Sequence, residues 1–263
     1  MTAIPKSLWL VGALAGVVSG MLGVGGGLVI GPALILLGMP LRRATGTALA
    51  LIPFIAATAV VAEVLLAPQN IYVGLASAVF AGGIVGVKLG AIIDKAISDS
   101  LLHNLFLLLL IVFAVSNIYA SLDSPSAVTV SQIIELHAQH YFYAAVFGVF
   151  AGACSALFGV GGGVVVVPAL VAAVNGINFQ EASAISLLAM VPTAALAARN
   201  AYKKQRIDVV LAKYLAIVCL PGAVAGVALR NYSLNHNQLQ LCFAAFLLYV
   251  ALRILRRGPT PGT

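Results

Sequence analysis

Long runs of residues with almost no charge constrain this chain more than any motif does. Six stretches, near 45–66, 71–93, 101–120, 182–199, 208–229 and 238–255, are mostly apolar and close to the ~20 residues that a helix needs to cross a bilayer's hydrocarbon core. Two further apolar stretches, about 7–38 and 141–174, carry clustered glycines. Charged residues make up 8% of the chain and its mean hydropathy is +1.10. A soluble domain carries about 25% charged residues, so this chain could not cover a water-facing surface. The alternation of a membrane β-barrel is not visible. The expected fold is an all-α polytopic membrane protein with about eight hydrophobic segments.

The net charge is +7, from 14 Lys+Arg against 7 Asp+Glu. The basic residues cluster at segment ends (Arg42 and Arg43; Lys203, Lys204 and Arg206; Arg253, Arg256 and Arg257) without a basic stripe interleaved with aromatics. That is the pattern of cytoplasmic loops in a membrane protein, and no nucleic-acid partner is expected. Cys154, Cys219 and Cys242 fall inside apolar segments without metal-type spacing and read as small packing residues. The apolar run after Lys6 resembles a signal peptide only superficially. It leads into a motif whose second copy lies mid-chain, so it is read as part of the mature protein.

An internal repeat organises the sequence. A shift of 136 positions aligns 12–34 with 148–170, with 13 of 23 residues identical. Shortly after, "ATGTAL" (44–49) answers "ASAISL" (182–187), and "GGIVGVKLG" (82–90) answers "GAVAGVALR" (222–230). The expected domains are a first membrane repeat over 1–120, a linker over 121–140 and a second membrane repeat over 141–263. Such repeats are frequent in secondary transporters, with the substrate site at the repeat interface.

Positive charge alternates in opposite phase in the two repeats. Arg42 and Arg43 follow the first glycine stretch, whereas 175–181 has no Lys or Arg; conversely Arg199, Lys203, Lys204 and Arg206 have no counterpart in 67–70. By the positive-inside rule this means opposite orientation, with the linker, which holds Asp123 and Glu135, outside and both termini cytoplasmic. Eight full crossings would put the linker and the 199–206 loop on one face. The conflict disappears if each glycine stretch enters and turns back: in over 8–22, turning at 23–27, out over 28–38, with the second repeat doing the same upside down.

Glycines at four-residue spacing (Gly12, Gly16 and Gly20; Gly82, Gly86 and Gly90; Gly148 and Gly152) read as close helix packing. Consecutive glycines do not. Each costs roughly 1 kcal/mol inside a helix while allowing positive φ and close backbone approach. Gly23, Gly25, Gly26 and Gly27, with Gly159, Gly161, Gly162 and Gly163, are therefore candidate anion-binding breaks, where the next half-helix presents free N–H groups and a positive dipole end. A structural hinge or turn is the other reading. Neither a P-loop nor a dinucleotide loop fits, because Leu28-Val29 and Val164-Val165 follow the glycines.

Ser19 and Ser155 precede each break by four residues and are candidates to aim hydroxyls into it, or to bond their own helix. Thr45, Thr47, Ser183 and Ser186 open the next helix, with Thr45 and Ser183 as binding candidates and N-capping as the alternative. Glu63 and Lys88 lie near the ends of apolar runs and read as snorkelling to the interface, with a role in the pathway as the alternative; His103 and Asn104 read as a helix start. No catalytic constellation or metal cluster can be assembled, so an enzyme is disfavoured and neither cofactor nor metal is expected.

"SGMLGVGGGLVIGPAL" (19–34) and "SALFGVGGGVVVVPAL" (155–170) together resemble the sulfite exporter TauE/SafE family over nearly the whole chain. The resemblance implies a permease of the bacterial inner membrane for sulfite, sulfonates, thiosulfate and related anions. It carries over onto 23–27 with Pro32 and 159–163 with Pro168, the prolines in a structural role. Ala156 stands where the first copy has Gly20, so the two copies are not chemically equal. The expected partners are a small inorganic or organic anion and the lipid bilayer, and a homo-oligomer is compatible with the sequence. A channel-like anion pore and a non-transporting structural or assembly protein are the alternative readings.

Overall fold

The computed structural model describes residues 7–123, 137–174 and 176–256. Among these, the ordered elements are helical: α1 (Ser7–Leu22), α2 (Gly27–Leu36), α3 (Leu41–Leu66), α4 (Val73–Ala96), α5 (Asp99–Asp123), α6 (Ala138–Phe158), α7 (Gly163–Ala173), α8 (Phe179–Lys203), α9 (Val209–Ser233) and α10 (His236–Leu255). A short 3-10 turn, Pro68–Asn70, joins α3 to α4. Seven helices, α3 to α6 and α8 to α10, are long and apolar enough to cross a membrane.

Each of the six simple segments became a helix that runs two to four residues past its apolar run at one end or both. Arg42 and Arg43, read as a loop, lie in the first turn of α3. Of the linker, 121–123 belong to α5 and 138–140 to α6; Glu135, Lys6 and Arg257 lie outside the described residues. Within each glycine stretch the helix is broken. At 1.5 Å per residue, α1 is about 24 Å long and α2 about 15 Å, while α6 is about 31 Å and α7 about 16 Å. The 21-residue α6 is of crossing length by itself; the 16-residue α1 is not.

Helices pack across the chain midpoint. α1 lies along α9, and α6 along α4. Glycines bring the backbones together: a Cβ at Gly16 or Gly20 would fall on the carbonyl of Cys219 or Ala223, and one at Gly82 or Gly86 on that of Ala145 or Val149. This close approach is what small residues at four-residue spacing permit. α3 and α8 pack together, as do α5 and α10.

Polar contacts mark two ends of the bundle. At one end Arg42, from the start of α3, meets Asp94 near the end of α4, and Lys204 and Arg206, just after α8, meet the same carboxylate. At the other end Glu63 of α3 meets Arg230 of α9, and Tyr72, preceding α4, donates to Glu181 at the start of α8. α3 and α8 therefore run antiparallel. The contacts of α1 with α9 advance in step from Gly12 with Val218 to Gly20 with Ala223 and Val227, so α1 rises from the Asp94 end, and α2 returns to that end to meet α3. α6 advances along α4 in the same way from the Glu63 end, and α7 returns there to Phe179.

Candidate functional site

The two glycine breaks meet at mid-height. A Cβ at Gly27 would fall on the carbonyl oxygen of Gly159, and one at Gly163 on the carbonyl oxygen of Gly23. Those contacts interchange when each residue is replaced by its repeat counterpart. Gly25 and Gly161 both face Met190 and Ile52, the same register position of α8 and α3. Three glycines in each break adopt the left-handed conformation: Gly23, Gly25 and Gly26 with φ of 71°, 73° and 74°, and Gly159, Gly161 and Gly162 with 68°, 88° and 82°. An L-residue pays roughly 1–2 kcal/mol there, and the space beside these backbones is already filled.

Gly23 N–H closes α1 on the Ser19 carbonyl at 2.9 Å, and Gly159 N–H closes α6 on the Ser155 carbonyl at 3.0 Å. The new helices open at Gly26 and Gly162, whose carbonyls accept from Ile30 and Val166 at 3.0 and 3.1 Å. Among the described residues, no hydrogen bond takes up the N–H groups of Gly26, Gly27 and Leu28, or of Gly162, Gly163 and Val164. Pro32 and Pro168 lie inside α2 and α7 and bring no N–H to the carbonyls of Leu28 and Val164 four residues earlier. Each short return helix is thus weakly tied to itself and held by its surroundings.

The hydroxyls around the breaks differ from the sequence reading. Ser19 and Ser155 are buried, and their Oγ atoms have no hydrogen-bond partner among the described residues, so the bond to their own helix is not made. N-capping is corrected as well. α8 is capped by Asn178, whose Oδ1 accepts from Glu181 N–H at 2.9 Å, and α3 begins after Pro40 with no side-chain cap. Ser183 sits five residues into α8, buried, against Gly23, with its hydroxyl unpartnered. Thr45 sits against Gly159 in the same way, but its hydroxyl donates to the Arg42 carbonyl at 3.2 Å. Ser186 donates to the Gly23 carbonyl at 3.0 Å, and Thr47 donates to the Arg43 carbonyl at 2.8 Å.

A cleft opens at the Asp94 end, lined by Arg42, Thr45, Asn200, Lys204 and Arg206. Asp94 Oδ2 accepts from Lys204 Nζ at 2.7 Å and Arg206 Nη1 at 2.8 Å, while Oδ1 accepts from Arg42 Nη1 at 3.1 Å. Three cations against one carboxylate leave the cleft at +2. A smaller pocket lies beside the second break, against Gly161, Ser186, Met190 and Thr193. Ile52 and Met190 stand where the tips meet.

Sequence reading missed three things. The clustering of Arg42, Lys204 and Arg206 brings side chains from 52, 110 and 112 positions away onto Asp94, which no local pattern announces. The apolar partners Ile52 and Met190 look like any core residue. Glu63 is the correction with most consequence: it is 1% exposed and paired with a fully buried Arg230, so it does not snorkel. The signal was present, since an ionisable residue in an apolar run marks function by default, and the repeat sets Arg230 against Gly90. Lys88 is exposed on α4.

Seven crossing-length helices and two Gly-broken hairpins define a multi-pass helical membrane protein. The family described as Sulfite exporter TauE/SafE matches residues 2–117 and 144–263. The chain belongs to this family, and so to a family of membrane transporters. No curated protein and no solved structure matches it.

Proposed function

We propose that this protein is a secondary transporter of the bacterial inner membrane for small sulfur-containing oxyanions of the sulfite, thiosulfate or sulfonate type. The observation that carries this reading is the tip-to-tip meeting of two broken helices. Their free N–H groups and the unpartnered hydroxyls of Ser19, Ser155 and Ser183 converge at mid-height. Helix N-termini favour anions, and broken backbone at membrane depth is tolerated where it lines a substrate cavity. The site takes in Gly23, Gly25, Gly26 and Gly27, Gly159, Gly161, Gly162 and Gly163, the three serines, and Thr45. The family's description supplies the sulfur chemistry.

Two inverted repeats, 1–120 and 141–263, carry the hairpins in from opposite faces, and rocking of one against the other alternates access. The antiparallel run of α3 and α8 and the exchanged packing of α1 with α9 and α6 with α4 support this arrangement. The Asp94 end is cytoplasmic. Arg42, Arg43, Lys95, Lys204, Arg206 and Arg256 all lie toward it by the course of their helices, in keeping with the positive-inside rule. Its cleft of net positive charge draws anions to the cytoplasmic mouth.

Uptake of labelled sulfite, thiosulfate and methanesulfonate into proteoliposomes tests the reading. Saturable flux of at least one of them is expected, and its loss in Gly26→Val and Gly162→Val. Wild-type rates in both variants would overturn the central site, and non-saturating flux would make the protein a pore. Orientation is tested by labelling Val128→Cys and Lys204→Cys from outside intact cells. Labelling of both from one side would refute the inversion.

A further inference from the structure

The buried pair at the Glu63 end has a chemistry that a helix staple does not need. Glu63 Oε1 accepts from Asn70 Nδ2 at 2.6 Å; Oε2 accepts from Arg230 Nη2 and from Asn231 Nδ2 at 3.1 Å. Both carboxylate oxygens are engaged. The guanidinium is engaged only in part: Nη1 donates to the Gly20 carbonyl at 3.2 Å, while Nε is buried without a partner. Gly20 lies in the last turn of α1, about 5 Å of helix rise before the break at Gly23. Arg230 thus stands between an acid and the tip of the first hairpin, with a donor to spare.

An apolar pair of similar volume would join α3 and α9 at least as well, since desolvating two charges offsets most of their attraction. The pair joins the two repeats and has no counterpart related to it by the repeat. Where the second repeat has Arg230, the first has Gly90 packed on Ala153 and Ala156. Among the other titratable groups at this end, Glu181 accepts from Tyr72 and Asn178, His236 accepts from the Phe179 N–H, His140 accepts from the His137 N–H, and Tyr232 donates to the Leu66 carbonyl.

Resting on the transport reading above, we infer that Arg230 exchanges its Glu63 partner for the transported anion, and that Glu63 then takes up a proton, making transport proton-coupled. An anion at the tip offers Arg230 a second counter-ion and occupies the free Nε–H. Glu63, left as an uncompensated buried charge, binds one proton from the facing solution. When the anion leaves, the proton returns to solution and the pair reforms. Anion and proton therefore promote each other's binding by equal factors and move together in the same direction.

The test uses the full-length protein in proteoliposomes loaded with a pH-reporting dye. Its probes, thiosulfate and methanesulfonate, stay ionised near neutral pH and carry no proton of their own. An inward gradient of either is expected to acidify the lumen, in fixed ratio to labelled anion entering. In Glu63→Gln, whose single amide oxygen can still accept from Arg230 and Asn231 while the new NH2 replaces the acceptor that faces Asn70, flux is expected to lose its response to an imposed pH gradient; Arg230→Gln is expected to lose flux. Anion entry without acidification in the wild type, or acidification that persists in Glu63→Gln, overturns this inference alone. Absence of flux for both probes and for sulfite overturns the transport reading and this inference with it. Should Glu63→Gln fail to reach the bilayer, the wild-type ratio decides.

Discussion

The two ends of the bundle hold charge in contrasting ways. Asp94 gathers Arg42, Lys204 and Arg206 at the rim of an open cleft, with the three cations 26–31% exposed. Glu63 and Arg230 form a one-to-one pair sealed from solvent. The same contrast is written into the repeat: Gly20 faces Arg230 in one hairpin's contact, whereas Ala156, its counterpart, faces Gly90 in the other. An extra methyl is accepted where the partner is a glycine and is missing where the partner is an arginine. The tips tolerated no such drift, because there each backbone lies directly on the other. Identity between the two stretches is thus kept where backbone meets backbone and relaxed where side chains fill the space.

The largest effect expected from breaking this contrast is in Arg230→Ala, which leaves Glu63 buried and unpaired. A loss of about 3–5 kcal/mol should appear as a lowered melting temperature in detergent, and Glu63→Leu with Arg230→Met should recover most of it. Gly16→Ala comes next, at about 1–3 kcal/mol, because its methyl would fall on the Cys219 carbonyl; Gly31→Ala, with no heavy atom within 4 Å of its new Cβ, should cost nothing on the same melting curve. Asp94→Asn is expected to cost about 1–2 kcal/mol, since water reaches all three of its cations although the carboxylate itself is 4% exposed. Arg43→Gln, which removes an exposed 3.3 Å pair with Asp208, should change stability by less than about 0.5 kcal/mol. Equal losses in Arg230→Ala and Asp94→Asn would erase the distinction between the ends.

Much of this architecture was legible in the residues, for physical reasons. Crossing helices advertise themselves by length and apolarity, and three glycines in a row at Gly25–Gly27 and Gly161–Gly163 cannot continue a helix at ordinary cost. The site was legible in part. Ser19, Ser155 and Ser183 stood near the breaks in the sequence, but whether their hydroxyls are bonded depends on neighbours from other helices. Thr45 and Ser183 resembled caps because capping is the common use of such residues at helix starts; the starts lay farther upstream, at Pro40 and Asn178. Glu63 was misread because its distance along the chain from the helix end says nothing about α9 lying over it.

The glycine-lined seams of α1 on α9 and α6 on α4 bear on how the protein is made. α1 ends at residue 22 and its partner begins at 209, so the first hairpin leaves the ribosome long before the surface it packs against exists. Neither α1 nor α2 spans a bilayer core of about 30 Å, and their open N–H groups have no water to turn to in lipid. The nascent hairpin must wait at the membrane surface or under another protein's cover until α9 arrives. Insertion and assembly of this chain are therefore separate events.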